Sequence, residues 1–543
     1  MLTSDKLLVI IKRKLLDVKY HLILIMLLSL ICGGVKAIIP LISGSFIDSL
    51  VTTSNKRMSY NLIVIFILFT ILNIFLNYMK NILIIKIENR TMNILINYIL
   101  NYLFHADFSK IKKFDSAYLT QRIYNDTKVI IRFLIGCIST ASVYLLSSIL
   151  CFVFLYNINS MFALITLISI PVYILLIYLL KRKIIITNFL FKECQDKYVS
   201  QINEQINLIE EIKLNSLYSS PLCFVKKAFE EFYIAVLKTY KLNYKFNSLG
   251  TIISGLIQVA FFIMGISLIF SKSLTIGMFS VINILYSEII GSVEYFFDII
   301  KQIQEIKVSF NRINELLTIP EESLNKDNLE GNISIRTKRI LFTYLKSRLL
   351  TFPSIDVTKN GIYLIAGDNG TGKTTFLRII VGLLKVEENK IYYGEKDIST
   401  LNIYNLRRDY TAYVTQEPVF WSTSVAGNFS IFLNEDVSFL NIKKKICELG
   451  MDNFINETFF TEDLWKKNIE ELSVGQKKKL MISIQLIRDK KIIILDEPNA
   501  ALDEISINNL HDFIQSKKKD RIIFIVSHDN IYSDIYTEKI SIV

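Results

Sequence analysis

The sequence predicts an α-helical domain of six membrane spans followed by an α/β domain built round a phosphate-binding loop. Three observations carry that prediction. Hydrophobic residues fill 51% of 543 positions and mean hydropathy is +0.39, too apolar for a soluble chain of this length, and the excess lies almost wholly before residue 310. In that half, apolar stretches near residues 21–48, 60–80, 133–156, 158–180, 248–270 and 276–300 each approach the roughly 20 residues a helix needs to cross a bilayer. In the other half, residues 367–374 read Gly-Asp-Asn-Gly-Thr-Gly-Lys-Thr, a full match to G-x-x-x-x-G-K-[ST]. They sit between the apolar run 362–366 and the helical pattern 376–384, the setting such a loop requires.

Six spans put both termini on one side, and charge says which. Lys80, Lys86 and Arg90 follow the second span, and Lys128 and Arg132 precede the third. Lys181, Arg182 and Lys183 follow the fourth, and Lys238, Lys241 and Lys245 precede the fifth. The opposite connections carry only Lys56, Arg57 and Lys272, so the positive-inside bias places the phosphate-binding domain in the cytoplasm. The net charge of +12 therefore reads as topology and contact with anionic lipid. A nucleic-acid partner is not expected, because no basic face interleaved with aromatics stands outside the membrane flanks. The first apolar run leads to Pro40 and Asp48 and not to a small-residue cleavage site, so it reads as a retained span. Six cysteines lie mostly in or beside spans without metal-type spacing, and four scattered histidines add no metal cluster.

Residues 81–132 and 181–247 are long, charged and helix-patterned, which predicts helices running far into the cytoplasm. Turn-rich breaks at 106–118 and 212–222 are read as short transverse helices touching the nucleotide domain, or as plain solvated turns. The expected domains are residues 1–318 in the membrane, a polar linker at 319–332 containing Pro320, and a nucleotide-binding domain over 333–543.

The loop's chemistry follows from its residue types. Gly367, Gly370 and Gly372 let the backbone amides of Asp368, Asn369 and Thr371 approach phosphates, Lys373 neutralises β and γ oxygens, and Thr374, followed by Thr375, offers a hydroxyl to Mg²⁺. The ligand is ATP or GTP on this ground alone. Further on, the apolar run 492–495 reads as a buried parallel strand ending in Asp496 and Glu497, beside the loop. Asp496 suits Mg²⁺ and Glu497 suits activation of water. Leu472, Ser473, Val474, Gly475 and Gln476 precede a helical pattern, where Ser473 and the Gly475 amide face phosphate from a helix N-terminus.

With Gln416 after a strand, Ala501, Leu502 and Asp503, and Ser527 and His528, these motifs resemble the ABC transporter ATPase, and the six-span half resembles the membrane domain of ABC exporters. The resemblance covers essentially the whole chain, including residues 40–48 and 119–126. It implies ATP and Mg²⁺ as cofactors, with Tyr344 under adenine and the loop residues Gly367, Asp368, Asn369, Gly370, Thr371, Gly372, Lys373, Thr374 and Thr375 on phosphate. Around Mg²⁺ it implies Thr374, Gln416 and Asp496. It makes Glu497 the general base, His528 a γ-phosphate contact and Asp503 a coupling residue. Ser473, Gly475 and Gln476 close over ATP held by a second half-transporter, so a dimer is implied, with a homodimer favoured and a heterodimer open.

Some residues depart from the family pattern. Val474 replaces a common Gly, Ala500 replaces a usual Ser, and no Glu-x-Gly is recognisable in residues 461–471, which puts the usual cross-subunit contact with the membrane domain in doubt. An N-terminal leader peptidase and a C-terminal regulatory segment are not expected. Inside the spans, Lys36 and Glu288, with Glu294 and Asp298 nearer the cytoplasm, either pair or face a cavity; a cavity-facing Glu288 favours cationic or polar cargo. The reading is an ATP-driven exporter of peptide, lipid or drug. Its alternatives are a regulatory or non-equivalent subunit of a heterodimer, or an exporter-fold importer.

Overall fold

The computed structural model describes residues 6–53, 56–114, 116–322, 327, 329, 333–343, 349–527 and 530–542. The chain divides into two compact units, residues 1–101 with 116–318, and residues 102–115 with 319–543. Tyr344 and His528 lie outside the described residues, as does most of segment 323–332.

Helices build the first unit: α1 (Lys6–Leu16), α2 (Lys19–Asp48) and α3 (Lys56–Phe104), then, beyond a short α4 (Phe108–Ile111), α5 (Ser116–Gln121), α6 (Thr127–Gly136), α7 (Ser142–Ile158), α8 (Ser160–Asn207), α9 (Ile209–Leu214), α10 (Ser219–Phe270) and α11 (Ile276–Leu317). Among the described residues, five helical stretches are long and apolar enough to cross a membrane: Lys19–Val51, Lys56–Phe104, Tyr118–Ile158, Ser219–Phe270 and Ile276–Ile300. The fourth of the six predicted spans falls in the N-terminal part of α8, where Ser160–Leu175 is a shorter apolar stretch of a 48-residue helix. Helices α3, α8, α10 and α11 have 49, 48, 52 and 42 residues, and at about 1.5 Å per residue each outruns a hydrocarbon core of about 30 Å. Their surplus carries the charged segments that the positive-inside pattern assigns to the cytoplasm. The break at 106–118 holds the short α4 and the start of α5, whereas the break at 212–222 takes in the end of α9, a turn and the start of α10.

Helices α2, α7 and α11 pack together, and α8 packs along α10. Gly44 and Gly277 let α2 and α11 touch, since a Cβ on Gly277 would collide with the Gly44 carbonyl. At the same end the Asp48 carboxylate accepts from the Thr275 hydroxyl at 2.6 Å and the Gly277 amide at 2.7 Å, capping α11 with a residue of α2. Deeper in, Lys36 Nζ meets a Glu288 carboxylate oxygen at 2.6 Å and lies 4.9 Å from the Tyr144 ring centroid. Glu288 is therefore a paired carboxylate, and the cargo argument from a lone Glu288 falls away.

In the second unit, a five-stranded parallel sheet is ordered β11-β5-β10-β9-β8. Its strands are β5 (Gly361–Ala366), β8 (Thr411–Val414), β9 (Ile492–Asp496), β10 (Ile522–Val526) and β11 (Glu538–Ser541). An antiparallel sheet holds β1 (Ile335–Thr337), β4 (Ile355–Val357), β6 (Ile391–Tyr393) and β7 (Lys396–Asp397), and β2 (Ile340–Thr343) pairs with β3 (Leu349–Phe352). Burial on both faces explains the unbroken apolar runs: Ile493 and Leu495 enter one core cluster, Ile492 and Ile494 the other. The helices are α12 (Lys373–Ile380), α13 (Ile403–Asn405), α14 (Val425–Leu433), α15 (Phe439–Leu449), α16 (Glu462–Lys466), α17 (Val474–Ile487) and α18 (Glu504–Lys517).

Residues 102–115 belong to this unit by specific bonds. The Tyr102 hydroxyl donates to Ile319 O at 2.6 Å, the Asp107 amide to Pro320 O at 2.9 Å and the Glu322 amide to His105 O at 2.7 Å. Phe108 of α4 packs on the core containing Phe376 and Phe524, and His105 meets Tyr404 edge-on with centroids 5.3 Å apart.

Candidate nucleotide site

Parallel strands end together, so the order β5-β10-β9 carries residues 367–372, Ser527 and Asp496 with Glu497 to one edge of the sheet. The loop leaves β5 and enters α12 through Gly370 (φ 84°) and Gly372 (φ 97°), backbone conformations that a Cβ would strain. Asp368, Asn369 and Gly370 are exposed, whereas Lys373 and Thr375 are buried. Lys373 Nζ donates to Gly367 O at 2.7 Å and Asp368 O at 3.1 Å, so the ammonium closes the loop on itself, over the place where phosphate oxygens would be its alternative acceptors.

Asp496 is 1% exposed, and neither carboxylate oxygen has a hydrogen-bond partner among the described residues. Burial pushes its pKa up, partly offset by the nearby Thr374 hydroxyl. An orphaned buried carboxylate beside a threonine hydroxyl is a donor set of hard oxygens, and it fits Mg²⁺. Gln416 Nε2 donates to Glu497 Oε2 at 2.9 Å, joining the residue after β8 to the residue after β9. Glu497 sits at φ 49°, a conformation held by its amide donating to Val526 O at 3.0 Å. A cavity of about 570 Å³ lies beside Thr374 and Gln416, lined also by Arg378, Tyr413 and Glu417.

Ser473 caps α17 in a reciprocal box: its Oγ accepts from the Gln476 amide at 3.3 Å, and Gln476 Oε1 accepts from the Ser473 amide at 3.0 Å. Gln476 therefore spends its carbonyl on the cap, while the Ser473 hydroxyl proton stays available to a phosphate. A Cβ on Gly475 would stand 2.5 Å from Ala501 O, so this position needs glycine to pass the turn that follows β9. Asp503 caps α18, accepting from the Ser506 amide at 2.7 Å, which holds its carboxyl below the usual range.

Sequence reasoning missed Lys478. It is 1% exposed, and its Nζ donates to Gln416 O at 2.8 Å, Thr415 O at 3.1 Å and Asp496 O at 3.5 Å, so one ammonium ties α17 to the ends of β8 and β9. Burial pushes its pKa down to about 8. Within three consecutive lysines, 477–479, nothing local marks this one as interior.

Two family matches fall on these two halves: the ABC transporter transmembrane region over residues 22–293 and the ABC transporter over residues 350–500. This chain belongs to the ABC transporter family. Among relatives of this ABC transporter, the lactococcin-G-processing and transport ATP-binding protein LagD of Lactococcus lactis subsp. lactis is 26% identical, across 68% of this chain and 53% of that protein. The multidrug resistance-like ATP-binding protein MdlB of Buchnera aphidicola is also 26% identical, across 96% of this chain and 90% of that protein. The chain spans about half the length of LagD and of two further relatives it matches, the lactococcin-A transport/processing ATP-binding protein LcnC and the mesentericin-Y105 transport/processing ATP-binding protein MesD. A solved bacterial Atm1-family ABC exporter with ATP bound shares the fold, with a TM-score of 0.83 over 97% of this chain and 95% of that one at 15% identity. This ABC transporter is thus a multi-pass membrane protein with its ATPase domain on the cytoplasmic side.

Proposed function

We propose that this chain is an exporter half-transporter that hydrolyses ATP as a dimer and carries a peptide outward. The Gln416 to Glu497 hydrogen bond at the sheet edge carries the catalytic part of this reading, because it aims a carboxylate from the strand end that also bears Asp496. Lys373 exchanges its two loop carbonyls for β and γ oxygens. The water that attacks the γ-phosphorus gives its proton to Glu497, and the bond to the β–γ bridging oxygen breaks. Thr374, Gln416 and Asp496 would hold Mg²⁺, which when bound would supply positive charge against the phosphate oxygens. The Ser473 hydroxyl and Gly475 amide bind the γ-phosphate of the opposite subunit's ATP. Tyr344 stacks on adenine and His528 contacts the γ-phosphate on the strength of the family resemblance. The names of the relatives LagD, LcnC and MesD, which concern lactococcin G, lactococcin A and mesentericin Y105, support a peptide cargo.

The shared site is testable by mixing. Lys373→Ala and Ser473→Ala chains each form dimers with two impaired sites, whereas mixed dimers hold one intact site and one doubly damaged site. Co-expression of the two is expected to restore part of the ATPase activity that each lacks, measured on tagged mixed dimers in lipid. Mixed dimers with no restored activity would count against sites shared between subunits. A wild-type chain that hydrolyses ATP only with a second protein present would replace the homodimer by a heterodimer.

A further inference from the structure

Helix α1 has 11 residues, too short to cross a bilayer, and it joins directly to α2, whose start is cytoplasmic by the positive-inside pattern. It therefore lies along the cytoplasmic membrane surface, with Leu7 and Ile11 buried and Leu8, Lys12 and Leu16 exposed. Between α1, the start of α2, α6 and the cytoplasmic part of α11 is a groove of about 540 Å³. That volume lies within the roughly 300–1,000 Å³ of small-molecule sites. Its walls are apolar, Leu8, Phe133, Ile306 and Phe310 among them, and among the described residues the only polar side chains lining it are those of Lys12 and Lys19. Over residues 6–22 the chain has five cationic side chains and one carboxylate, Asp17, which Lys14 holds at 3.8 Å. The groove thus joins an apolar slot to two ammonium groups, with no acidic side chain lining it among the described residues.

We propose that this groove binds one anionic phospholipid of the cytoplasmic leaflet, with an acyl chain against Phe133, Ile306 and Phe310 and the headgroup phosphate between Lys12 and Lys19. Charge complementarity selects the occupant: basic pockets between membrane helices on the cytoplasmic side suit anionic headgroups, and only an amphiphile satisfies wall and rim together. An uncharged lipid leaves the ammonium groups unpaired, and a soluble anion leaves the apolar wall empty. The site fastens α1 to the last span, α11, independently of which cargo the transporter moves.

The test uses the full-length protein in nanodiscs, with Phe133→Trp as a reporter; the native tryptophans, Trp421 and Trp465, lie in the ATPase unit. Brominated phosphatidylglycerol, diluted into phosphatidylcholine, is expected to quench this reporter at far lower mole fraction than brominated phosphatidylcholine does. Lys12→Gln with Lys19→Gln should weaken that preference by roughly tenfold or more, given the attraction of each lysine near an anionic surface. Arg13→Gln with Lys14→Gln removes the same charge from residues that do not line the groove, and should leave the preference in place. Equal quenching by both lipids, no quenching by either, or equal losses in the two double variants would overturn the site and point to an ordinary lipid shell, another occupant or general surface charge. Folding of each variant is checked by its ATPase rate, which does not depend on the reporter.

Discussion

The ATPase unit and the membrane unit use the same apolar residues to opposite ends. Every residue of β9 and β10 is buried, and alternate side chains serve two cores on either side of one sheet. In the most apolar stretch of α3 none is buried, and Ile65, Leu68, Ile71 and Phe75 point outward. A parallel sheet is covered by its own chain, because the crossovers that join its strands lay helices on its faces. A membrane helix satisfies its backbone internally and leaves its side chains to lipid or to a neighbouring helix. Function in the ATPase unit is therefore written at strand ends a few residues long, whereas in the membrane unit it depends on which helices meet.

The largest expected effect tests the strand-end side of that contrast. Glu497→Gln should retain ATP binding and lose turnover by about 10²-fold or more, the scale of general-base catalysis, measured as ATPase rate and nucleotide affinity in lipid. Near-normal turnover would remove Glu497 from the site. Lys373→Ala should lose binding instead.

The membrane side is sharpened by its ion pair. Lys36→Met or Glu288→Met alone leaves one charge in the bundle, costing about 2.5–3.5 kcal/mol on insertion scales, whereas the double variant should recover most of the loss. Thermal unfolding midpoints in detergent read the cycle, and additive losses would mean that the two groups do not interact.

A smaller effect tests the hidden brace of the ATPase unit. Lys478→Met leaves the carbonyls of Thr415 and Gln416 without their donor, at a cost of about 1–3 kcal/mol for buried unsatisfied groups. The turnover rate should fall more than ATP affinity does, since the brace holds Gln416 and Asp496 and no loop amide. Unchanged stability and turnover would make it a bystander.

The smallest is a helix cap. Asp503→Ala should cost about 1 kcal/mol of domain stability at neutral pH, the ordinary scale for an N-cap. Because the folded-state pKa of Asp503 is depressed, its contribution is present above the unfolded aspartate pKa and lost as pH falls through the folded value. The difference between wild type and variant should therefore shrink on acidification, and a constant difference in urea titrations would argue against the cap.

The phosphate loop, the Asp496 and Glu497 strand end and the Ser473 cap were legible because each is a short segment whose neighbours in sequence set its geometry. The apolar spans were legible because a bilayer imposes one length on them all. Two features were not. Lys478 looks like its two lysine neighbours until α17 is laid against β8 and β9. Likewise the bond from Tyr102 to Ile319, 217 positions apart, has no local signal, although a helix at 106–118 touching the nucleotide domain was one of the two alternatives read for that break.

By itself the sequence determined that six apolar stretches precede an α/β phosphate-binding domain, which side of the membrane holds that domain, and which residues line the sheet edge. Periodicity, charge asymmetry and local loop chemistry are properties of neighbouring residues, and they survive without a fold. Only the tertiary structure decided that Lys36 meets Glu288, that Gln416 meets Glu497, that Lys478 is interior, and that α1 leaves a lysine-rimmed groove against α11. Each of these joins residues far apart in the chain, so its energy depends on distances that no local pattern encodes.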